Sequence, residues 1–275
     1  MLKWRKYYLP DLTMQVVSNQ RPNILCIGGL DPSGGAGLQA DIEAIAYCGG
    51  HALAIATCLT VQNSHKAYSV NAVDHEVIQQ QAKFLLEDIK VSACKIGVIP
   101  NPDIALVISS ILEQLTEVPI VLDPVLSASH GASFVDAATL NIIRDRILPN
   151  VTVITPNHAE LNQLTEGDQS IMDLAVKLCQ SGPDYALVTG ADAATVNIEN
   201  IFVSAQGIIN RYKYERLPHS YHGSGCTMSS ALACYLTRSQ AISKAVKQAQ
   251  DYTMQTLINA DMPGRGQHIP RRVIQ

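Results

Sequence analysis

The sequence predicts an α/β fold, a largely parallel sheet sandwiched between helices in three layers, with an antiparallel hairpin at one edge. Three observations carry that expectation. Short, nearly continuous apolar runs recur from residue 23 onward, as strands covered on both faces require. Amphipathic stretches separate these runs, so that strand and helix alternate. After residue 190 the alternation gives way to two β-type runs flanking Ala205-Gln206-Gly207, the pattern of a hairpin.

Each element follows in order. Residues 1–21 show no periodicity and read as a tail ahead of a single domain over 22–275, with Met14 a second candidate start. Strands are expected at 24–28, 53–61, 94–99, 120–123, 151–155 and 186–190. The helices between them are expected at 37–48, 76–89, 103–115, 137–148, 157–164 and 170–181. In the third of these, Ile104, Val107, Ile108, Ile111 and Leu115 recur at helical spacing, and Pro102 suits a first turn because its φ is already helical. The hairpin pairs 198–204 with 208–215, and helices at 225–236 and 240–257 close the chain.

Composition bounds the function. A chain of 275 residues buries about 75% of its unfolded surface, so a large core needs no staples. Hydrophobic residues make up 47% and charged residues 16%, the reverse of a disordered composition. Net charge −4 and an aromatic content of 5% oppose a nucleic-acid partner, which would need a basic face or stacking rings. The longest apolar run, 52–61, falls short of the ~20 residues of a membrane helix. The start MLKWRKYYLPDLTMQVV lacks the apolar stretch of ~7–15 residues that a secretory signal carries. Seven scattered cysteines without a Cys-x-x-Cys pair fit the reduced thiols of a cytoplasm. Six lie in apolar runs and read as core; Cys226 does not.

Ligands of open α/β sheets gather at the carboxyl ends of the strands. Asp31, Asp41, Gln62, Asp123, Asn157, Glu160 and Gly190 fall at those ends, where turn and capping chemistry favours many of the same residue types. The first glycine loop, 28–37, contains Gly35-x-Gly37-x-x-Ala40, but no acid ends the second strand and no Gly-Lys-Ser/Thr follows. Neither a dinucleotide fingerprint nor a Walker loop results. Asp41 stands in the first helical turn, either facing the strand ends or complementing the helix dipole.

The second loop, His222-Gly223-Ser224-Gly225-Cys226, opens a helix whose free N–H groups make an anion hole for a phosphate chain or a transferring group. Cys226 sits where a helix dipole favours thiolate, as a base toward a hydroxyl or as a nucleophile. A cysteine hydrolase pairing Cys226 with His222 lacks an orienting Asp nearby. Asn157 and Glu160, three apart, share a helical face and suit either a hydrated Mg²⁺ beside phosphates or a helix N-cap with a Glu behind it.

LDPSGGAGLQAD, TVQN, KIGVI, LDPV, TPNHAE and HGSGC occur in an order and spacing that resemble the hydroxymethylpyrimidine/phosphomethylpyrimidine kinases of thiamine biosynthesis, members of the ribokinase-like superfamily alongside pyridoxal kinases. The resemblance runs from about residue 23 to 268 and implies the three-layer αβα ribokinase-like fold. It implies ATP and Mg²⁺ as cofactors, and phosphorylation first of the hydroxymethyl group of 4-amino-5-hydroxymethyl-2-methylpyrimidine and then of its monophosphate. By the same resemblance Gly29, Asp41, Gln62, Val98 and Val125 form the pyrimidine pocket, with Asp41 and Gln62 pairing with the aminopyrimidine edge. Cys226 matches the residue that deprotonates the attacking oxygen, and Gly223, Ser224 and Gly225 the anion hole. Asn157, Thr189 and Gly190 fall on the nucleotide side, with Glu160 and Asp123 toward the metal. A cytoplasmic homodimer acting on a small pyrimidine is expected.

Two departures bear on this. The family commonly has Lys-Gly-Gly where this chain has Thr189-Gly190-Ala191, and Ala-Lys-Ser-Gly where it has Ala128-Ser129-His130-Gly131. Two positive charges near the phosphates are thus absent, and a protonated His130 is expected to replace one. Alternatives are a pyridoxal or pyridoxine kinase of the same fold, or a ligand-binding homologue impaired in catalysis.

Overall fold

The computed structural model describes residues 21–127, 135–167, 169–191, 193, 195–239 and 241–273. The expected tail and the 128–131 stretch with His130 fall largely or wholly outside the described residues. The strands are β1 (Asn23–Leu30), β2 (His51–Gln62), β3 (Ala67–Ala72), β4 (Ala93–Ile96), β5 (Ile120–Leu122), β6 (Val153–Ile154), β7 (Tyr185–Val188), β8 (Asn197–Ser204) and β9 (Gly207–Glu215). The α-helices are α1 (Gly37–Tyr47), α2 (His75–Asp88), α3 (Pro102–Leu112), α4 (Ala137–Ile142), α5 (His158–Thr165), α6 (Ile171–Gln180), α7 (Ser224–Leu236) and α8 (Ile242–Ile258). The strands form one nine-stranded sheet in the order β3-β2-β1-β4-β5-β6-β7-β8-β9. Its six inner strands from β2 to β7 are parallel, while β3, β8 and β9 pair antiparallel at the two edges.

Alternation along the central strands feeds two cores. Leu25 and Ile27 of β1 point into a cluster with Ile78, Ile104, Ile108, Leu161 and Leu174 from α2, α3, α5 and α6. Ile24 and Cys26 point the other way, against Leu38 and Ile45 of α1, Leu232 of α7 and Val246 of α8. Both sheet faces are therefore dry, which is why the strands read as unbroken apolar runs. Caps set the helix starts: the Asn101 side chain accepts from the Ile104 amide at 2.9 Å with Pro102 following, and Asp74 accepts from the Glu76 amide.

Several details differ from the sequence expectation, among them the strand expected at 151–155, which keeps only Val153–Ile154, and the helix expected over 103–115, which ends at Leu112. An extra strand, β3, pairs with the outer half of β2. The strand expected at 94–99 ends at Ile96, and the one at 186–190 ends at Val188. The helix expected over 137–148 keeps α geometry only to Ile142, then widens into a π-helical turn over Ile143–Ile147 and tightens into a 3₁₀ turn over Leu148–Asn150. Among the described residues no helix is long and apolar enough to cross a membrane.

Chain order places the site. From β1 the chain crosses to β2 on one side, then returns to β4 on the other. Strand order reverses there, opening a crevice beyond the carboxyl ends of β1 and β4.

Candidate active site

A cavity of about 790 Å³ occupies that crevice, within the range of small-molecule sites. At one end it is lined by Gly29 of β1, Thr60 and Gln62 of β2, and Val98 beyond β4. Val125, Asp123 and Cys226 stand at its middle, and Asn157, Glu160, Thr189 and Arg216 at the other end. Gly223, Ser224 and Gly225 also line it, so twelve of the fourteen residues that the resemblance assigns share one cavity.

Asp41 and Gly190 are the two that do not line it. Asp41 is fully buried behind the wall, where its Oδ1 accepts from Lys95 Nζ at 2.9 Å and from Ser230 Oγ at 2.7 Å. Its Oδ2 is buried without a hydrogen-bond partner among the described residues. Gly190 is buried against β8: its N–H donates to Asn200 Oδ1 at 3.0 Å, and a side chain there would strike the Glu199 carbonyl. It serves close packing.

The two glycine loops are built against each other. Gly223 takes a left-handed φ of 80° with the Gly35 carbonyl where its Cβ would stand, so only glycine fits. Its position heads α7 with no side-chain cap, which leaves the first-turn N–H groups aimed at the cavity. His222 Nε2 meets Asp31 Oδ2 at 2.8 Å, joining the second loop to the first. Burial pushes the Asp31 carboxyl up, but hydrogen bonds from His222 and Ser33 outweigh it and leave Asp31 below its ordinary value.

Beneath Cys226 lies a buried charge cluster. Lys95, 1% exposed, sits 2.9 Å from Asp41 Oδ1 and 4.0 Å from Asp123 Oδ2. Burial alone would lower the Lys95 ammonium, yet Asp41, Cys226 and Asp123 reverse this and raise it, so the cation persists. Burial raises the Asp123 carboxyl despite Lys95. Burial likewise pushes the Cys226 thiol up to about 12, with Lys95 pulling down and Asp123 and Asp41 pushing up. Desolvation thus opposes the thiolate that this helix start favours.

Asn157 and Glu160 form a reciprocal capping box on α5. The Asn157 side chain accepts from the Glu160 amide, and Glu160 Oε2 from the Asn157 amide, each at 2.9 Å. The cap reading of the pair is observed, and the cap also holds Glu160 at the cavity wall. For Mg²⁺ the donor set fits a hydrated ion: Glu160 and Asp123 both line the cavity, and among the described residues no cluster of three or more His, Cys, Asp or Glu could enclose a metal. Mg²⁺ keeps several waters and takes one or two carboxylates beside substrate phosphates.

Lys95, Arg216 and the Asp31–His222 pair went unassigned from the sequence. Arg216 donates to the carbonyls of Ala191, Ala193 and Thr195 at 2.9, 2.5 and 2.7 Å and lines the end of the cavity where Thr189 leaves a charge missing. Its position after a strand of exposed residues carried no motif.

A three-layer αβα fold with an uncapped glycine helix start facing the cavity fits a small-molecule kinase of the ribokinase-like class. Solved structures agree on the fold: a pyridoxal kinase from Bacillus subtilis in complex with ADP superposes with a TM-score of 0.82 at 23% identity, over 92% of this chain and 98% of its own. The phosphomethylpyrimidine kinase of Clostridium difficile superposes with a TM-score of 0.75 at 26% identity, over 86% of this chain and 100% of its own. Residues 31–271 match the phosphomethylpyrimidine kinase family model, and the chain belongs to that family. The hydroxymethylpyrimidine/phosphomethylpyrimidine kinase of Streptomyces coelicolor is 31% identical over 242 residues, 84% of this chain and 87% of that one. The chain also matches longer multifunctional thiamine biosynthesis proteins, of which it spans between 33% and 53%.

Proposed function

We infer that the protein transfers the γ-phosphoryl group of ATP to the hydroxymethyl oxygen of 4-amino-5-hydroxymethyl-2-methylpyrimidine, and then a second phosphoryl group to the monophosphate, in thiamine biosynthesis. The observation that carries this is one cavity with two unlike ends meeting at the amino end of α7. The Gln62 amide suits the donor and acceptor edge of an aminopyrimidine, while Gly29 admits the ring and Val98 and Val125 give it apolar contact. At the other end Asn157, Thr189 and Arg216 offer polar groups and a positive charge to the nucleotide.

Phosphoryl transfer asks the protein mainly for positioning and charge stabilisation. The N–H groups of Gly223, Ser224 and Gly225 hold the transferring group, and Lys95 adds a fixed cation beneath it. The substrate oxygen bonds to the γ-phosphorus as the bridging bond of ATP breaks and ADP leaves. The hydroxyl proton goes to the Cys226 sulfur once that thiol has ionised. Mg²⁺ held at Glu160 and Asp123 would supply neutralising charge to the phosphates.

A kinase acting on pyridoxal is the second reading, favoured by Thr189 at the end of β7 and by the close superposition on a pyridoxal kinase fold. A ligand-binding homologue impaired in catalysis is opposed by the Cys226, Lys95 and Arg216 side chains at the cavity. Buried, unpaired cysteines and net charge −4 support a cytoplasmic enzyme without a nucleic-acid partner. The exposed Leu30, Leu59, Val61 and Tyr68 around β2 and β3 support a homodimer. ADP release measured with hydroxymethylpyrimidine, its monophosphate and pyridoxal side by side tests the reading. Turnover of both pyrimidines above pyridoxal is expected, and preference for pyridoxal would replace it.

A further inference from the structure

Arg272 lies one residue beyond the stretch that the family model matches. Its side chain is fully enclosed, and its guanidinium reaches three elements at once. Nε donates to Thr227 Oγ1 at 2.9 Å in the first turn of α7, and Nη1 to Glu43 Oε2 of α1 at 3.0 Å. Nη1 also donates to the Gly34 carbonyl at 3.1 Å, and Nη2 to the Gly35 carbonyl. The backbone is anchored as well, because the Tyr252 hydroxyl donates to the Arg272 carbonyl at 2.8 Å.

The other edges of the same two peptide groups are held from the opposite side. The Gly35 N–H donates to Ser33 Oγ at 3.3 Å, and the Ala36 N–H to Asp31 Oδ2 at 2.9 Å. Asp31 in turn holds Ser33 and, at 2.8 Å, His222. Thr227 completes the ring, its hydroxyl donating to the Gly223 carbonyl at 2.8 Å. Two consecutive glycine peptides, which would otherwise be among the freest in the chain, are thus clamped between a guanidinium and a carboxylate. Burying a cation is costly unless its donors find acceptors, and here those acceptors belong to the loops that shape the cavity.

We propose that Arg272 is a positioning residue: its planar fork locks the first glycine loop onto the amino end of α7 and thereby fixes His222 and the Gly223–Gly225 anion hole for phosphoryl transfer. Lysine cannot replace it, because a point ammonium cannot hold Thr227, Glu43 and two carbonyls in one plane. The part of the proposal that concerns turnover rests on the kinase reading above. Gln62, Val98 and Val125 lie outside the clamp, so loss of the fork falls on the transfer step rather than on capture of the ring.

The test compares the parent chain with Arg272→Ala and Arg272→Lys by amide hydrogen exchange and by steady-state kinetics with hydroxymethylpyrimidine and ATP. Exchange over 31–38 is expected to quicken by about tenfold or more in both variants while strands β4 and β5 stay protected. The value of kcat is expected to fall about 10- to 100-fold with the pyrimidine KM within about threefold, and millimolar guanidinium to restore part of it to Arg272→Ala. Should Arg272→Ala not accumulate as folded protein, Arg272→Lys carries both measurements. Unchanged exchange over 31–38, exchange quickened evenly along the whole chain, or parental kcat in Arg272→Lys would each overturn the clamp. A parent chain that turns over no pyrimidine removes the kinase reading, and exchange at 31–38 then decides the clamp alone.

Discussion

At Cys226 two influences oppose each other. The amino end of α7 favours a thiolate, whereas burial, Asp123 and Asp41 oppose it, and the thiol is pushed up to about 12 although Lys95 and the Gly37 backbone pull it back. A base whose protonated form dominates at neutral pH limits the rate by its ionised fraction, which grows about tenfold per pH unit below the pKa. The kcat/KM of the parent is therefore expected to climb with pH between about 7 and 9, and Cys226→Ala to lose that slope together with about 10²-fold in kcat. A pH–rate profile of the two proteins checks this, and a flat profile in a fully active parent would remove the sulfur from proton transfer. The cysteine itself was legible from its place after His222-Gly223-Ser224-Gly225, because small residues before an apolar helix announce an open helix start. Its protonation state was not, because the groups that decide it come from β4 and β5, far away in the chain.

Elements meet through the Asp41–Lys95–Ser230 cluster, which joins α1, β4 and α7. Lys95 and Asp41 are both almost wholly buried, and a buried pair broken by removing one partner leaves an uncompensated charge. Asp41→Ala is expected to destabilise the fold by about 3–5 kcal/mol, seen as a lower urea midpoint at unchanged slope. A shift below about 1 kcal/mol, the level of an exposed pair, would show that Lys95 does not need it. Because the folded ammonium value is raised above the ordinary lysine value, its contribution is present throughout neutral pH and is lost only as pH rises past that ordinary value toward the folded one. The spacing of Asp41 from Gly37 placed it on α1, where it falls just past the expected first turn, but could not show that Lys95, 54 residues on, takes its carboxylate first. The same limit explains the strand errors. Gly97, Val98 and Ile99 continue an apolar run, yet Gly97 and Val98 leave the sheet to line the cavity. Strand β3, with no fully buried residue, offered no apolar run to read. The helix at 137–148 changes geometry where Arg144 turns to the carbonyls of Leu164 and Gln163, a contact no local pattern contains.

At the scale of the whole molecule, one sheet carries helices on both faces, and the cavity draws its walls from both ends of the chain. Gly28 from the first strand and Gln267 from the closing segment line the same space. A ligand in that space is therefore expected to stabilise the molecule as a unit, and unfolding is expected to show one transition with and without it. A ligand that binds only the folded state adds about 2.7 kcal/mol at 100 times its Kd. With an unfolding entropy of about 2.1 cal/mol/K per residue over this chain length, that corresponds to a rise of roughly 5 °C in Tm. Hydroxymethylpyrimidine alone is expected to produce such a shift, because Gln62, Gly29 and Val98 stand apart from the nucleotide end. Mg-ATP is expected to raise Tm separately, because Asn157, Thr189 and Arg216 line the cavity across the sheet from Gln62. Calorimetric scans with each ligand decide the matter: a transition that splits, with the pyrimidine moving one part and leaving the other in place, would show that the two halves of the sheet fold independently and that the cavity does not bind them together.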